Sequence, residues 1–96
     1  MYGVTVLGAT GSIGVSTLDV LSRHPERYRV VALTANSDVE RLYEQCLVHQ
    51  PEYAVMADAN AAQHLHERLR ATAPGIQVLA GLAGLETVAA LPQVAY

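Results

Sequence analysis

Apolar and polar residues along the chain follow two alternating periods, one typical of buried strands and the other typical of amphipathic helices. Short aliphatic runs predict four strands, over residues 4–7, 29–34, 53–56 and 76–79. Each run is followed by apolar residues at helical spacing, which predicts helices over residues 12–23, within 36–50, between 58 and 74, and over 84–91. Residues 93–96 are interpreted as the beginning of a fifth strand.

The predicted helices carry recognisable start and stop signals. Ser37 followed by Glu40 matches a capping box, which predicts the start of the second helix. Asp58 is the predicted N-cap of the third helix, and Pro25 ends the first. The side chains predicted to face the core are those of Ile13, Thr17, Leu18, Leu21, Val39, Leu42, Tyr43, Cys46, Leu47, Ala61, Ala62, Leu65 and Leu69.

The strand–helix alternation predicts an α/β fold with a doubly wound parallel sheet of the Rossmann type, about four strands with helices on both faces. In such sheets the first strand is central, and a strand on its far side completes the binding crevice. We expect that partner strand to be missing, because the sequence reaches only the first residues of a fifth strand. Residues 1–96 are therefore interpreted as the N-terminal part of a longer polypeptide.

Composition narrows the class of protein. The 96 residues are 51% apolar without Trp or Phe, so the core is aliphatic, which suits a sheet buried on both faces. The net charge of -3 argues against nucleic acid as a partner. The single cysteine, Cys46, is interpreted as a small buried hydrophobic residue, and it favours a cytoplasmic location. No apolar run is long enough to span a membrane, and no signal peptide is expected.

The turn after the first strand contains glycine at every third position, in the segment GATGSIG from Gly8 to Gly14. Gly8 would allow the sharp exit from the strand, Gly11 the close approach of a phosphate, and Gly14 the packing of helix on strand. The amides of Thr10 to Ile13, with the hydroxyl groups of Thr10 and Ser12, would then bind a pyrophosphate. The segment predicts a dinucleotide site, and the alternative is a loop whose glycines serve turning and packing only.

The turn after the second strand normally meets the adenosine ribose of a bound dinucleotide. It reads Asn36-Ser37-Asp38. Asp38 is acidic, which favours a free 2′-hydroxyl, but it also lies where it could stabilise a helix N-terminus. Asn36 and Ser37 could donate to a hydroxyl or to a phosphate, so these residues leave NADH and NADPH open.

No catalytic or metal-binding residue is assigned from the pattern. The histidines are scattered, and the two that lie close together, His64 and His66, point in different directions on a helix. No Ser-His-Asp, HExxH or CxxC arrangement is visible, and the charged residues of the second and third helices are interpreted as solvated faces.

Several longer segments resemble one enzyme family. LGATGSIG at 7–14, STLDV at 16–20, RVVAL at 29–33 and YAVM at 53–56 are similar to the N-terminus of the 1-deoxy-D-xylulose 5-phosphate reductoisomerase family. The similarity extends over nearly all of the chain. Where that family commonly has Ala-Gly, a residue that is often basic, and Asn, this chain has Ala35 followed by Asn36-Ser37-Asp38.

The resemblance implies an enzyme that converts 1-deoxy-D-xylulose 5-phosphate to 2-C-methyl-D-erythritol 4-phosphate in non-mevalonate isoprenoid biosynthesis. It implies NADPH, with its phosphates on Thr10, Gly11, Ser12 and Ile13, and Mg²⁺ or Mn²⁺ bound beyond residue 96. It further implies a sugar phosphate substrate and a homodimer, whereas the isolated 96 residues are expected to be inactive.

Two alternatives remain open at this stage. One is the nucleotide-binding domain of a semialdehyde or acyl-phosphate dehydrogenase, whose sequence also begins with a GATG segment and which uses a catalytic cysteine. The other is a free-standing nucleotide-binding module without catalysis.

Overall fold

Strands and helices alternate throughout the part of the chain that the computed structural model describes, residues 2–90 and 94–95. The strands are β1 (Tyr2–Val6), β2 (Tyr28–Ala35), β3 (Tyr53–Met56), β4 (Gln77–Ala80) and β5 (Val94–Ala95). The helices are α1 (Ser12–Ser22), α2 (Val39–His49), α3 (Ala59–Thr72) and α4 (Gly81–Ala89). These elements confirm the predicted α/β fold.

The strands form one parallel sheet in the order β4-β3-β2-β1-β5. Buried residues of α1, α2 and α3 join one core cluster, whereas Val88 of α4 packs with Ala32 and Val55 in a second cluster. Right-handed crossovers explain this division, because the chain moves outward from β1 to β4 and then reverses its direction to reach β5. The sheet therefore has helices on both faces and changes winding direction between β1 and β5.

The predicted absence of a strand on the far side of β1 is wrong. The two residues of β5 pair with Val4 and Thr5 of β1, so β1 lies between β2 and β5. Strand β5 therefore pairs with β1 on the side opposite β2. Three residues of these predictions lie outside the described part of the chain. They are Leu91, the expected end of α4, and Gln93 and Tyr96, the outer residues of the predicted last strand.

A bulge shifts the register of the central strand pair. Val4 pairs with Val30, whereas the next residue of β1, Thr5, pairs with Ala32, so Val31 is an extra residue in β2. The extra residue lets Val30 and Leu33 belong to the same core cluster although they are three positions apart. A strict two-residue period predicts opposite faces for them, which explains why the sequence pattern did not reveal the bulge.

Several helix details differ from the sequence predictions. The N-cap of α2 is Asp38, whose side chain accepts from the amide of Arg41, so the capping box of Ser37 and Glu40 is wrong. Helix α4 begins at Gly81, three residues before the predicted start. Among the predicted inward-facing residues, Ile13 is 83% exposed and Leu47 is 38% exposed. Asp58 caps α3 as predicted, accepting from the amides of Asn60 and Ala61.

Candidate functional site

The glycine segment forms a loop that β2 holds against the carboxyl edge of the sheet. Gly8 adopts a left-handed conformation, with φ at 66°, which lets the chain turn sharply after β1. The amide of Gly8 donates to Oγ1 of Thr34 at 2.9 Å, and the amide of Ala9 donates to the Thr34 carbonyl at 2.7 Å. The end of β2 therefore fixes the first two residues of the loop with both its side chain and its backbone.

Helix α2 holds the same loop from the other side. Nε2 of Gln45 donates to the carbonyl of Ala9 at 2.8 Å, and Nη1 of Arg41 lies 3.4 Å from the carbonyl of Thr10. Arg41 and Gln45 are four residues apart, so both side chains extend from one face of α2. Two loop carbonyls are thus occupied, and the backbone of the loop is restrained from both neighbouring elements.

The N-terminus of α1 presents amide groups that lack a protein acceptor. Its N-cap is Gly11, and no side chain caps the helix. Within the described part of the chain, the amides of Thr10, Ser12 and Ile13 have no hydrogen-bond acceptor. The amide of Gly11 is different from the prediction, because it donates to the carbonyl of Gly8 at 3.0 Å and closes the turn. The amides of Thr10, Ser12 and Ile13, together with the helix dipole, therefore remain for an anion.

The two later glycines of the loop have different roles. A Cβ atom on Gly14 would lie 2.2 Å from the carbonyl oxygen of Gly8, so α1 packs on the loop only because this position has no side chain. A Cβ atom on Gly11 would meet the same oxygen at 3.4 Å, an ordinary contact. The fold thus requires Gly14, whereas the space in front of Gly11 faces outward, where a ligand could approach the backbone.

The turn between β2 and α2 lies beside the loop, and its side chains are exposed. Oδ1 of Asp38 accepts from the amide of Arg41 at 3.1 Å, so the carboxylate is directed toward the first turn of α2. The helix-capping role predicted as an alternative for Asp38 is therefore present, and contact with a ribose stays a prediction. Asn36 and Ser37 make no side-chain hydrogen bond within the described residues, and their polar groups face solvent.

Other candidate chemistry is sparse in residues 2–90 and 94–95. Cys46 is fully buried, and burial raises the pKa of its thiol to about 12. Such a thiol is not a nucleophile near neutral pH, which disfavours a dehydrogenase that would use Cys46 for catalysis. Across these ranges, no cluster of three or more His, Cys, Asp or Glu side chains could hold a metal ion. Likewise, no described helix combines the length and hydropathy that crossing a bilayer requires.

Sequence reasoning missed three residues of this site: Thr34, Arg41 and Gln45. Arg41 and Gln45 belong to the polar face of α2, which was interpreted as solvated. The sequence shows that Arg41 and Gln45 are four residues apart, and it predicts that β1 and β2 are adjacent. Together these two features bring both side chains near the loop. Thr34 ends a predicted strand, where a polar side chain at the sheet edge could have suggested a hydrogen-bond role.

Sequence comparisons relate this chain to one enzyme family. A family model described as 1-deoxy-D-xylulose 5-phosphate reductoisomerase matches residues 4–96. A reductoisomerase of that name from Methylococcus capsulatus is 61% identical over 95 residues, 98% of this chain. The corresponding protein from Methylobacillus flagellatus is 59% identical over 93 residues, 97% of this chain. The chain spans only 24% and 23% of these two relatives.

Solved structures agree with the sequence comparison. The 1-deoxy-D-xylulose 5-phosphate reductoisomerase of Zymomonas mobilis in complex with NADPH superposes with a TM-score of 0.88 at 40% identity, over 96% of this chain and 24% of that protein. A reductoisomerase in complex with NADPH, fosmidomycin and magnesium gives a TM-score of 0.91 at 32% identity, over 98% of this chain and 23% of that protein.

Proposed function

The chain belongs to the 1-deoxy-D-xylulose 5-phosphate reductoisomerase family, and on that premise we propose that it is the NADPH-binding part of such an enzyme. The enzyme would reduce and isomerise 1-deoxy-D-xylulose 5-phosphate to 2-C-methyl-D-erythritol 4-phosphate. Residues 1–96 would lie in its N-terminal dinucleotide-binding domain. The observation that carries this proposal is the N-terminus of α1 beside the glycine loop, where the amides of Thr10, Ser12 and Ile13 have no acceptor among the described residues.

The residues present fit the pyrophosphate of a dinucleotide. The amides of Thr10, Ser12 and Ile13 would donate to its oxygens, and the hydroxyl groups of Thr10 and Ser12 would add further donors. Gly11 would contribute space for the approach of the phosphate, whereas Gly8 and Gly14 shape the loop. No lysine or arginine is needed at this point, because the helix dipole supplies positive potential.

The adenosine end of the cofactor would lie over the turn that follows β2. Asn36 and Ser37 are exposed there and can donate hydrogen bonds. Asp38 would be adjacent, but its carboxylate is engaged as the N-cap of α2. When bound, NADPH supplies the hydride for the reduction, and the residues of this chain bind and orient it.

The remaining parts of the proposal concern regions that the chain does not span. A divalent metal, Mg²⁺ or Mn²⁺, and the sugar phosphate would be bound by the rest of the enzyme. We also infer that the enzyme is a cytoplasmic homodimer and does not bind nucleic acid. The net charge of -3 supports the last point, since a surface of that sign does not attract a polyanion.

The test is an assay of the intact protein with 1-deoxy-D-xylulose 5-phosphate, NADPH and Mn²⁺ or Mg²⁺. We expect oxidation of NADPH that requires both the substrate and the metal, and formation of 2-C-methyl-D-erythritol 4-phosphate. Omission of the substrate and chelation of the metal are the controls. NADPH binding without turnover would indicate a binding module, and turnover of an acyl phosphate instead would indicate a dehydrogenase; either result contradicts the proposal.

A further inference from the structure

The glycine loop and the turn after β2 share one cationic neighbour, the guanidinium group of Arg41. Its Nη1 atom lies 3.4 Å from the carbonyl oxygen of Thr10, so the head group is beside the loop. Its own backbone amide is bonded to Asp38, which places the base of the side chain in the first turn of α2. Arg41 therefore connects the turn that would meet the adenosine ribose with the loop that would meet the pyrophosphate.

Arg41 forms no ion pair with a carboxylate in the described part of the chain. Its contact with Thr10 is a long hydrogen bond to a neutral carbonyl. The guanidinium has five N–H donors, so most of them remain unused. Of the acids nearest in sequence, Asp38 caps α2 and Glu40 pairs with Arg68, and Glu44 forms no ion pair with Arg41 within the described residues. Arg68, which pairs with Glu40, also stacks over the ring of Tyr43.

We propose that Arg41 binds the 2′-phosphate of NADPH and thereby sets the preference of this protein for NADPH over NADH. The inference rests on the proposed function, because it assigns a residue to the adenosine end of the same cofactor. In dinucleotide-binding folds of this type, an arginine near the end of the second strand accommodates a 2′-phosphate, whereas a free acidic residue there binds a 2′-hydroxyl. Arg41 lies in the first turn of α2, shortly after β2 ends, and Oδ1 of Asp38 accepts from the amide of Arg41.

The chemistry of the turn supports the same assignment. The turn itself carries no cation, since its residues are Asn36, Ser37 and Asp38. A dianionic phosphate at this edge needs a cation or several donors. Arg41 supplies the cation, and Asn36 and Ser37 supply neutral donors from an exposed turn. The i,i+4 partner of Arg41, Gln45, is half-buried against the loop and fixes the helix face from which Arg41 extends.

The experiment measures dissociation constants of NADPH and NADH for the intact protein and three variants. Arg41→Gln removes the charge, and Arg41→Lys keeps it without the fork of donors. Arg70→Gln removes the same charge from an exposed position at the end of α3, as a matched control. Thermal unfolding followed by circular dichroism checks that each variant is folded, which we expect because Arg41 is exposed.

We expect Arg41→Gln to weaken NADPH binding by about tenfold or more, as loss of a charge-assisted hydrogen bond requires, and to change NADH binding by less than about twofold. Arg41→Lys should lie between the wild type and Arg41→Gln, and Arg70→Gln should match the wild type. Equal losses for both cofactors would place the guanidinium on the pyrophosphate or in loop structure and would overturn the assignment. No loss would overturn it as well.

The same titrations separate this assignment from the proposed function. A wild-type protein that binds NADPH tightly while Arg41→Gln keeps the full preference contradicts only the role of Arg41. A wild-type protein that prefers NADH contradicts the role of Arg41 and the choice of cofactor. A wild-type protein that binds neither cofactor contradicts the proposed function and, with it, the inference.

Discussion

Nε2 of Gln45 donates a 2.8 Å hydrogen bond to the carbonyl of Ala9, which ties α2 to the loop between β1 and α1. The other polar atom of the same side chain, Oε1, is buried and has no hydrogen-bond partner among the described residues. A buried unpaired oxygen lowers stability, so Gln45 is a costly way to fill this position. We infer that the side chain serves to position the loop.

Gln45→Met tests that role. The substitution removes the hydrogen bond to Ala9 and also removes the unpaired oxygen, so we expect the free energy of unfolding to change by no more than about 1 kcal/mol. NADPH binding should weaken, because the loop loses its restraint from α2. Hydrogen exchange of the loop amides should become faster at the same time. Unchanged affinity together with unchanged exchange would show that Gln45 does not position the loop.

Thr34→Val tests the restraint from β2. Valine is similar in shape but cannot accept from the amide of Gly8, which would remain partly buried and unpaired. We expect a loss of about 1–3 kcal/mol in the free energy of unfolding, measured by urea denaturation. Thr17→Val is the control, since its hydroxyl donates to the carbonyl of Ile13 in an exposed hydrogen bond within α1. Equal effects of the two substitutions would contradict the importance of the Gly8 contact.

The N-cap of α2 gives a prediction that separates Asp38 from Ser37. Asp38→Ala removes the acceptor for the amide of Arg41 and should cost about 1 kcal/mol of stability. Ser37→Ala should leave stability unchanged, because Ser37 is not the cap. A larger loss from Ser37→Ala than from Asp38→Ala would restore the capping box as the correct assignment.

Asp38→Asn tests the effect of the same residue on the cofactor. Asparagine can still cap the helix but carries no charge. We expect NADPH binding to be unchanged or stronger, since a carboxylate near a 2′-phosphate repels it. A clear loss of NADH affinity in this variant would instead show that Asp38 holds a free ribose hydroxyl.

His49 gives a prediction about pH. Burial lowers the pKa of His49 below its ordinary value of 6.5, so the unfolded chain binds a proton at a higher pH than the folded protein does. Stability therefore falls as the pH decreases through the pKa of the unfolded state, and it is free of this penalty above that value. His49→Gln should lose less stability than the wild type between about pH 7.5 and pH 5. Parallel pH profiles from urea denaturation would contradict this.

The sequence predicted most of the fold because each element carries a strong local signal. The run from Tyr53 to Met56 and the cap at Asp58 were both identified correctly. The bulge at Val31 was missed, since one extra residue in an apolar strand leaves the composition unchanged. The far-side position of β5 was missed because pairing between β1 and β5 depends on contacts that are distant in sequence.

Only the part of the candidate site that the backbone forms could be predicted from the sequence. The glycine spacing indicated a phosphate loop, and Gly8 and Gly14 have the conformation and the close packing that this motif needs. The side chains that hold the loop come from β2 and α2, and their contacts with the loop join residues 26 to 36 positions apart, which local patterns do not predict. Similarly, the amide of Gly11 closes a turn, which the spacing of three glycines does not reveal.

Gly11 and Gly14 together give the most direct test of the central claim, that the loop before α1 binds the pyrophosphate of NADPH. The measurement is a titration of NADPH into the intact protein and into Gly11→Val, with unfolding curves for both. A Cβ atom at Gly11 meets only an ordinary contact, so the fold should persist. Gly14→Ala, whose Cβ atom would lie 2.2 Å from the Gly8 carbonyl, is the control that should lose stability.

We predict that Gly11→Val raises the dissociation constant for NADPH by about tenfold or more, equivalent to about 1.4 kcal/mol, while its unfolding curve stays close to that of the wild type. The branched side chain would occupy the space that the phosphate needs. An unchanged dissociation constant in a folded Gly11→Val protein would show that the loop is a turn and not a cofactor site.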